Sequence, residues 1–125
     1  MSDAKESKNK TILVVDDDAI VLDIVEAFVE QQGHKVLCAQ CGHEALKLAN
    51  EHNGKLDLLL TDVIMPNMNG MDLAKTMVRN NPDLKVIFMS GCLQPAIDSP
   101  NAFIQKPFSH KTLTNHIKKA FSEMN

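Results

Sequence analysis

TILVVDDDAIVLDIVEAFVEQQGHKVLCA (11–39) decides the fold. Its opening run, TILVV (11–15), is short, continuous and rich in β-branched residues, as a strand buried on both faces should be. Residues 18–32 then carry Ile20, Ile24, Ala27 and Phe28 at helical spacing, with Asp23, Glu26 and Glu30 set between them, so these four form the expected inward stripe. Gly33 supplies a left-handed stop, and KVLCA (35–39) is a second strand. Parallel strands need a crossover between them, and a helix of this length provides one.

The pattern repeats downstream. Gly42–His52 reads as a helix with Ala45, Leu46 and Ala49 inward, LDLLLT (56–61) as a third strand, and VIMPNMNG (63–70) as a turn-rich loop. Met71–Arg79 is a helix stopped by Asn80, Asn81 and Pro82. KVIFM (85–89) and AFIQ (102–105) complete the strands, and Ser109 caps a last helix running to about Met124, with Leu113, Ile117, Ala120 and Phe121 as its stripe. Between the fourth and fifth strands, SGCLQPAIDSPN (90–101) carries Pro95 and Pro100, which predicts a short or irregular helix around Leu93–Ile97. The expected fold class is therefore α/β: a five-stranded parallel sheet, doubly wound, with helices on both faces.

At 125 residues the chain is the length of one domain, expected to bury about two-thirds of its unfolded surface without metal or disulfide staples. Residues 1–10 are expected to be a flexible tail and 11–125 a single domain. With 44% hydrophobic and 23% charged residues the composition is globular rather than disordered. A net charge of −3 offers no attraction to nucleic acid or anionic membrane, and the lack of Trp and Tyr removes the usual base-stacking platforms. No stretch approaches the roughly 20 apolar residues of a membrane span, and MSDAKESKNK (1–10) has no signal-peptide core. Three cysteines, an odd number, argue against a disulfide framework, and the expected location is cytoplasmic.

In an open doubly wound sheet, ligands collect beyond the carboxyl ends of the strands. Asp16, Asp17 and Asp18 follow the first strand, Asp62 the third, Ser90 the fourth and Lys106 the fifth. Two carboxylates about 4 Å apart repel by roughly 4 kcal/mol at an effective dielectric of 20. Either a proton is retained there or a cation sits among them. Oxygen-only ligands with positions left for water favour Mg²⁺ over a dedicated Ca²⁺ cage. Carboxylates, a hydroxyl and a lysine around Mg²⁺ describe a phosphoryl-transfer site.

ILVVDDD (12–18), LLLTDVIMPNMNG (58–70), FMSG (88–91) and FIQKPF (103–108) resemble, in order, the four signatures of response-regulator receiver domains. The resemblance implies a flavodoxin-like fold and a two-component signalling switch, not a turnover enzyme, that catalyses only its own phosphorylation and dephosphorylation. It implies that Asp62 accepts the phosphoryl group from a phosphohistidine of a histidine kinase or histidine phosphotransfer protein. Asp17, Asp62 and the backbone carbonyl of Ile64 would then ligate Mg²⁺, with Asp16 acting mostly through a metal-bound water. Lys106 would pair with Asp62 and then with a phosphoryl oxygen, and Ser90 would hydrogen-bond another. Lys106–Pro107 resembles the family's cis peptide. Ser90 and Phe103 would be the switch residues, with Phe103 buried even before phosphorylation because it lacks a hydroxyl to expose. A downstream protein target is implied but not defined, and the chain is expected to be a monomer or weak dimer. Ile64 and Cys92 stand where faster members carry polar groups that orient water, which implies slow dephosphorylation.

Two other functions compete. VVDDDAI (14–20) satisfies the strand-then-D-x-D pattern of haloacid-dehalogenase-type phosphatases, with Asp16 as nucleophile and Asp18 as acid, against which stand the short chain and the lack of a cap insertion. The other is a receiver-like binding module that is never phosphorylated. Among smaller signals, Cys38 and Cys41 with His34 and His43 nearby suggest zinc or redox chemistry, but alternation in the strand explains Cys38 as a small buried apolar residue. Asp18 is expected to begin the first helix, where its charge suits the dipole. Met65, Met68 and Met71 read as loop packing.

Overall fold

The computed structural model describes residues 9–91 and 103–122. The elements run β1 (Thr11–Val15), α1 (Ala19–Gln31), β2 (Lys35–Ala39), α2 (Gly42–Glu51), β3 (Leu58–Asp62), α3 (Gly70–Asn80), β4 (Lys85–Ser90), β5 (Phe103–Gln105) and α4 (His110–Ser122). The five strands form one parallel sheet in the order β2-β1-β3-β4-β5, the flavodoxin-like arrangement expected. The short helix expected around Leu93–Ile97, the tail before Asn9 and the final residues beyond Ser122 lie outside the described residues. Asn9 and Lys10 are tied to the sheet: the Asn9 amide donates to Gly33 and the Lys35 amide donates to the Lys10 carbonyl.

Side-chain alternation splits the core into two layers. Ile12, Val14, Leu58, Leu60, Ile87, Met89 and Ile104 pack with Leu22, Val25 and Val29 of α1 and Leu113, Ile117 and Phe121 of α4. Leu13, Val15, Leu59, Phe88 and Phe103 pack with Ala45 of α2 and Leu73, Ala74 and Met77 of α3. The strand core is apolar at consecutive positions because β1 and β3 are central strands sandwiched between helices, and both of their faces are buried.

The inward face of α1 differs from the sequence expectation. Leu22, Val25 and Val29 are buried, whereas Ile20 is 70% and Ile24 47% exposed, Ala27 is exposed and Phe28 is only partly buried. AIVLDIVEAFV (19–29) is apolar around most of its circumference, so periodicity alone allowed two stripes. Packing makes the choice: Leu22, Val25 and Val29 meet the layer of Ile12, Val14, Leu113 and Ile117. Asp18 is the N-cap that starts the helix, with Oδ1 accepting from the Ile20 amide at 2.9 Å.

Two smaller corrections follow from the sheet. β3 spans Leu58–Asp62 rather than 56–61, because its ladder with β4 continues to the Asp62–Met89 pair. The preceding Asp57 instead pins β1 by accepting from the Thr11 amide at 2.9 Å. Cys38 is half-buried rather than buried, since β2 is an edge strand. Burial and the neighbouring Glu26 carboxylate push its thiol up to about 11, which keeps it protonated and unreactive. Cys41 is the N-cap of α2, its Sγ accepting from the Glu44 amide at 3.4 Å.

Candidate functional site

Strand order reverses between β1 and β3, and that is where the carboxylates meet. Asp16 follows β1 and Asp62 ends β3. One carboxylate oxygen from each of Asp16, Asp17 and Asp62 lies within 4.8 Å of the others. Asp16 is fully buried and Asp62 is 7% exposed, while Asp17 faces solvent. Asp18, despite its position in the acidic run, is spent on capping α1.

Lys106, just past β5, enters this cluster. Its Nζ lies 3.6 Å from Asp62 Oδ1, the expected ion pair, and also donates to Asp16 Oδ2 at 2.6 Å, which makes Asp16 its nearer partner. A carboxylate with no water contact needs a counter-charge more than one that is partly solvated. Asp16 has both oxygens engaged, since Oδ1 accepts from the Asp18 amide at 2.9 Å. The Lys106 backbone amide donates to the Ser90 carbonyl at 2.7 Å, and the Lys106–Pro107 bond is cis.

The electrostatics follow from this packing. Burial, then the Asp16 charge, raise the Asp62 carboxyl above its ordinary range, with Lys106 and the Val63 amide opposing. Burial alone would lower Lys106, but its contacts with Asp16 and Asp62 outweigh that and hold it above the usual lysine value, so it stays charged. The acidic trio is an oxygen-only donor set with one member open to water. These residues fit a hard divalent ion such as Mg²⁺, which binds through one or two carboxylates and keeps several waters.

Asp62 is held by its own turn: Oδ1 accepts from the Val63 amide at 2.9 Å, and the same amide donates to the Met89 carbonyl at 3.1 Å. Ile64 lies next in the loop with its side chain 62% exposed. Ser90 ends β4, buried, level with Gln105 of β5. Phe103 is 8% exposed and packs in the layer against α2 and α3, opposite Phe88. Met65 is buried and Met68 and Met71 pack against the same layer. Cys92 lies outside the described residues.

The structure places a carboxylate trio and a lysine at the switch point of a flavodoxin-like sheet. The family model for the response regulator receiver domain matches residues 12–118, and the chain belongs to that family. It is similar to the sensor kinase CckA of Brucella abortus, 36% identical over 114 residues that make up 86% of this chain and 12% of the kinase. It is also similar to the response regulator SaeR of Staphylococcus aureus, 29% identical over 90% of this chain and 51% of SaeR. The chain thus spans between about an eighth and about half of these curated relatives. Among solved structures, a CheY-like receiver domain from Methanospirillum hungatei superposes with a TM-score of 0.83 at 29% identity, covering 94% of this chain and 97% of that one. Receiver domains of this family pair with histidine kinases and bind Mg²⁺ through acidic residues. These matches do not favour the dehalogenase-type reading or the phosphorylation-free module.

Sequence reasoning gave no role to two residues beside the acceptor. The buried Thr61 donates its hydroxyl to the Asp62 carbonyl at 3.0 Å, and Gly70 returns the loop to β3 through a 2.7 Å bond from its amide to the Val63 carbonyl. The only signal for either was position: Thr61 immediately precedes Asp62, and Gly70 closes LLLTDVIMPNMNG (58–70).

Proposed function

We propose that Asp62 accepts a phosphoryl group from a phosphohistidine on a histidine kinase or histidine phosphotransfer protein. The carrying observation is the position of Asp62 beside Asp16, Asp17 and Lys106, with its side chain 11% exposed where that of Asp16 is fully buried. Both oxygens of Asp16 are engaged, whereas among the described residues only Oδ1 of Asp62 is held. Asp17, Asp62 and the Ile64 carbonyl would hold Mg²⁺ directly, and Asp16 through a water. Bound there, the ion supplies positive charge that offsets the acceptor and the incoming phosphoryl oxygens.

A carboxylate oxygen of Asp62 attacks phosphorus in line. An O–P bond forms as the P–N bond to the donor imidazole breaks, and that bond's electron pair returns to the imidazole. The transferred group brings about −1.5 to −2 charges. Lys106 pairs with one of its oxygens and the Ser90 hydroxyl donates to another. Ser90 and Phe103 then relay the change to the surface, the hydroxyl moving toward the phosphoryl group in front of a ring that is already buried. The reaction is one the domain catalyses on itself, and the exposed apolar Ile64 orients no water for hydrolysis, so the acyl phosphate persists. A cytoplasmic monomer or weak dimer with a protein target, not nucleic acid or membrane, is the matching setting. Among the described residues no helix is long and apolar enough to cross a membrane.

The test is incubation with labelled acetyl phosphate and Mg²⁺. Wild-type protein takes up hydroxylamine-labile label and the Asp62→Asn variant takes up none. Equal labelling of the variant would refute Asp62 as acceptor.

A further inference from the structure

The β3–α3 loop leaves Asp62 and returns so tightly that its last residue has no room for a side chain. A Cβ built on Gly70 would lie well under 3.0 Å from the Asp62 carbonyl oxygen, 3.0 Å from the carbonyl carbon and 3.2 Å from Thr61 Cγ2. The first of these is closer than real Cβ atoms come to anything, and the obstacle is backbone, which cannot rotate away. The hydrogen in the Cβ position therefore points at the carbonyl, a weak C–H···O contact. Two further bonds fasten the same place: the Gly70 amide to the Val63 carbonyl at 2.7 Å, and the Thr61 hydroxyl to the Asp62 carbonyl at 3.0 Å. The first turn of α3 thus presses on the peptide that carries the acceptor.

We propose that Gly70 is a positioning residue for phosphoryl acceptance: by lacking a Cβ it lets α3 close on the Asp62 carbonyl, which sets the Asp62 carboxylate and the Ile64 backbone for the reaction. This rests on the reading of Asp62 as the acceptor. Any side chain at position 70 forces the loop and β3 apart, and both ends of the loop belong to the site. Misplacement of reacting groups by about 1 Å costs on the order of a hundredfold in rate.

Gly42 provides an internal comparison. A Cβ there would meet Met68 Sδ at 2.6 Å, the far end of a flexible side chain, and Met68 Cβ and Cγ at 3.1 and 3.2 Å, which need give by only a few tenths of an ångström; no backbone stands in the way. Alanine is also a better helix former than glycine, so neither substitution weakens its helix by propensity.

The experiment measures labelling by acetyl phosphate over a Mg²⁺ titration for wild type, Gly70→Ala and Gly42→Ala, with circular dichroism to follow folding. Expected are a labelling rate at least tenfold lower and a higher half-saturating Mg²⁺ concentration for folded Gly70→Ala, against a change within threefold for Gly42→Ala. Wild-type rate and Mg²⁺ dependence in folded Gly70→Ala overturn the proposal. If Gly70→Ala does not fold, Thr61→Val decides by loosening the same carbonyl: a rate at least threefold lower with native circular dichroism supports the proposal, and an unchanged rate overturns it. Failure of wild-type protein to take up label removes the acceptor reading itself, and the proposal with it.

Discussion

Lys106 donates a 2.6 Å hydrogen bond to Asp16, a residue 90 positions earlier in the chain and without solvent exposure. The bond joins the ends of β1 and β5, which are not neighbours in the sheet. It also holds the ammonium 3.6 Å from Asp62 Oδ1.

Replacing that lysine by a neutral residue of similar length, Lys106→Met, leaves Asp16 buried beside two other carboxylates. Stability should fall by about 3 kcal/mol, the lower end for a broken buried pair, because the ammonium retains some water contact. Urea unfolding at neutral pH measures this, and an unchanged midpoint would show that the pair is not needed for folding.

Filling the acidic trio should stabilise the native state by mass action. At a hundredfold excess over the dissociation constant the gain is about 2.7 kcal/mol. Thermal unfolding with and without MgCl₂ should show a rise in Tm for wild type and little or none for Asp17→Asn. The same rise in both would place the ion elsewhere.

The rotation of α1 makes a sharp contrast between residues two apart. Leu22→Ala should cost about 2–4 kcal/mol through loss of buried volume. Ile24→Gln, on the exposed side, should change stability by no more than about 0.5 kcal/mol. Denaturant midpoints of the two variants decide it; a reversed order would restore the Ile20–Ile24 stripe as the inward one.

His34 gives the protein an acid-side weakness away from the site. Its ring is buried, meets Phe121 edge-on at 5.4 Å between ring centroids, and accepts at Nδ1 from the Lys10 amide at 3.3 Å. Burial and then the Lys10 charge lower its pKa, with Asp57 opposing. The folded pKa lies below the unfolded one, so the unfolded state binds the proton first. Its contribution is complete above about 6.5, the ordinary histidine value, and is lost as pH falls through the folded pKa. His34→Asn keeps an acceptor near Nδ1 but does not titrate. Its urea midpoint should fall less than that of wild type between pH 7 and pH 5, and parallel curves would exclude His34 as the cause.

Much of this molecule was legible in one dimension. TILVV (11–15) and KVLCA (35–39) announce strands through short apolar runs, and the intervening helix has a cap and a stop, because these are local signals. Once the strands are parallel, every residue that follows one lies on the same edge. The meeting of Asp16, Asp17 and Asp62 with Lys106 was therefore implied by chain order.

What the tertiary structure alone decided are relations between surfaces. The side of α1 that meets the sheet depends on its rotation, and an almost wholly apolar sequence does not encode a rotation. The choice of Asp16 over Asp62 as the nearer partner of Lys106 depends on relative burial, which exists only once the strands are assembled. The absence of room at Gly70 depends on how closely a helix returns to the strand it left, a distance no residue type states by itself.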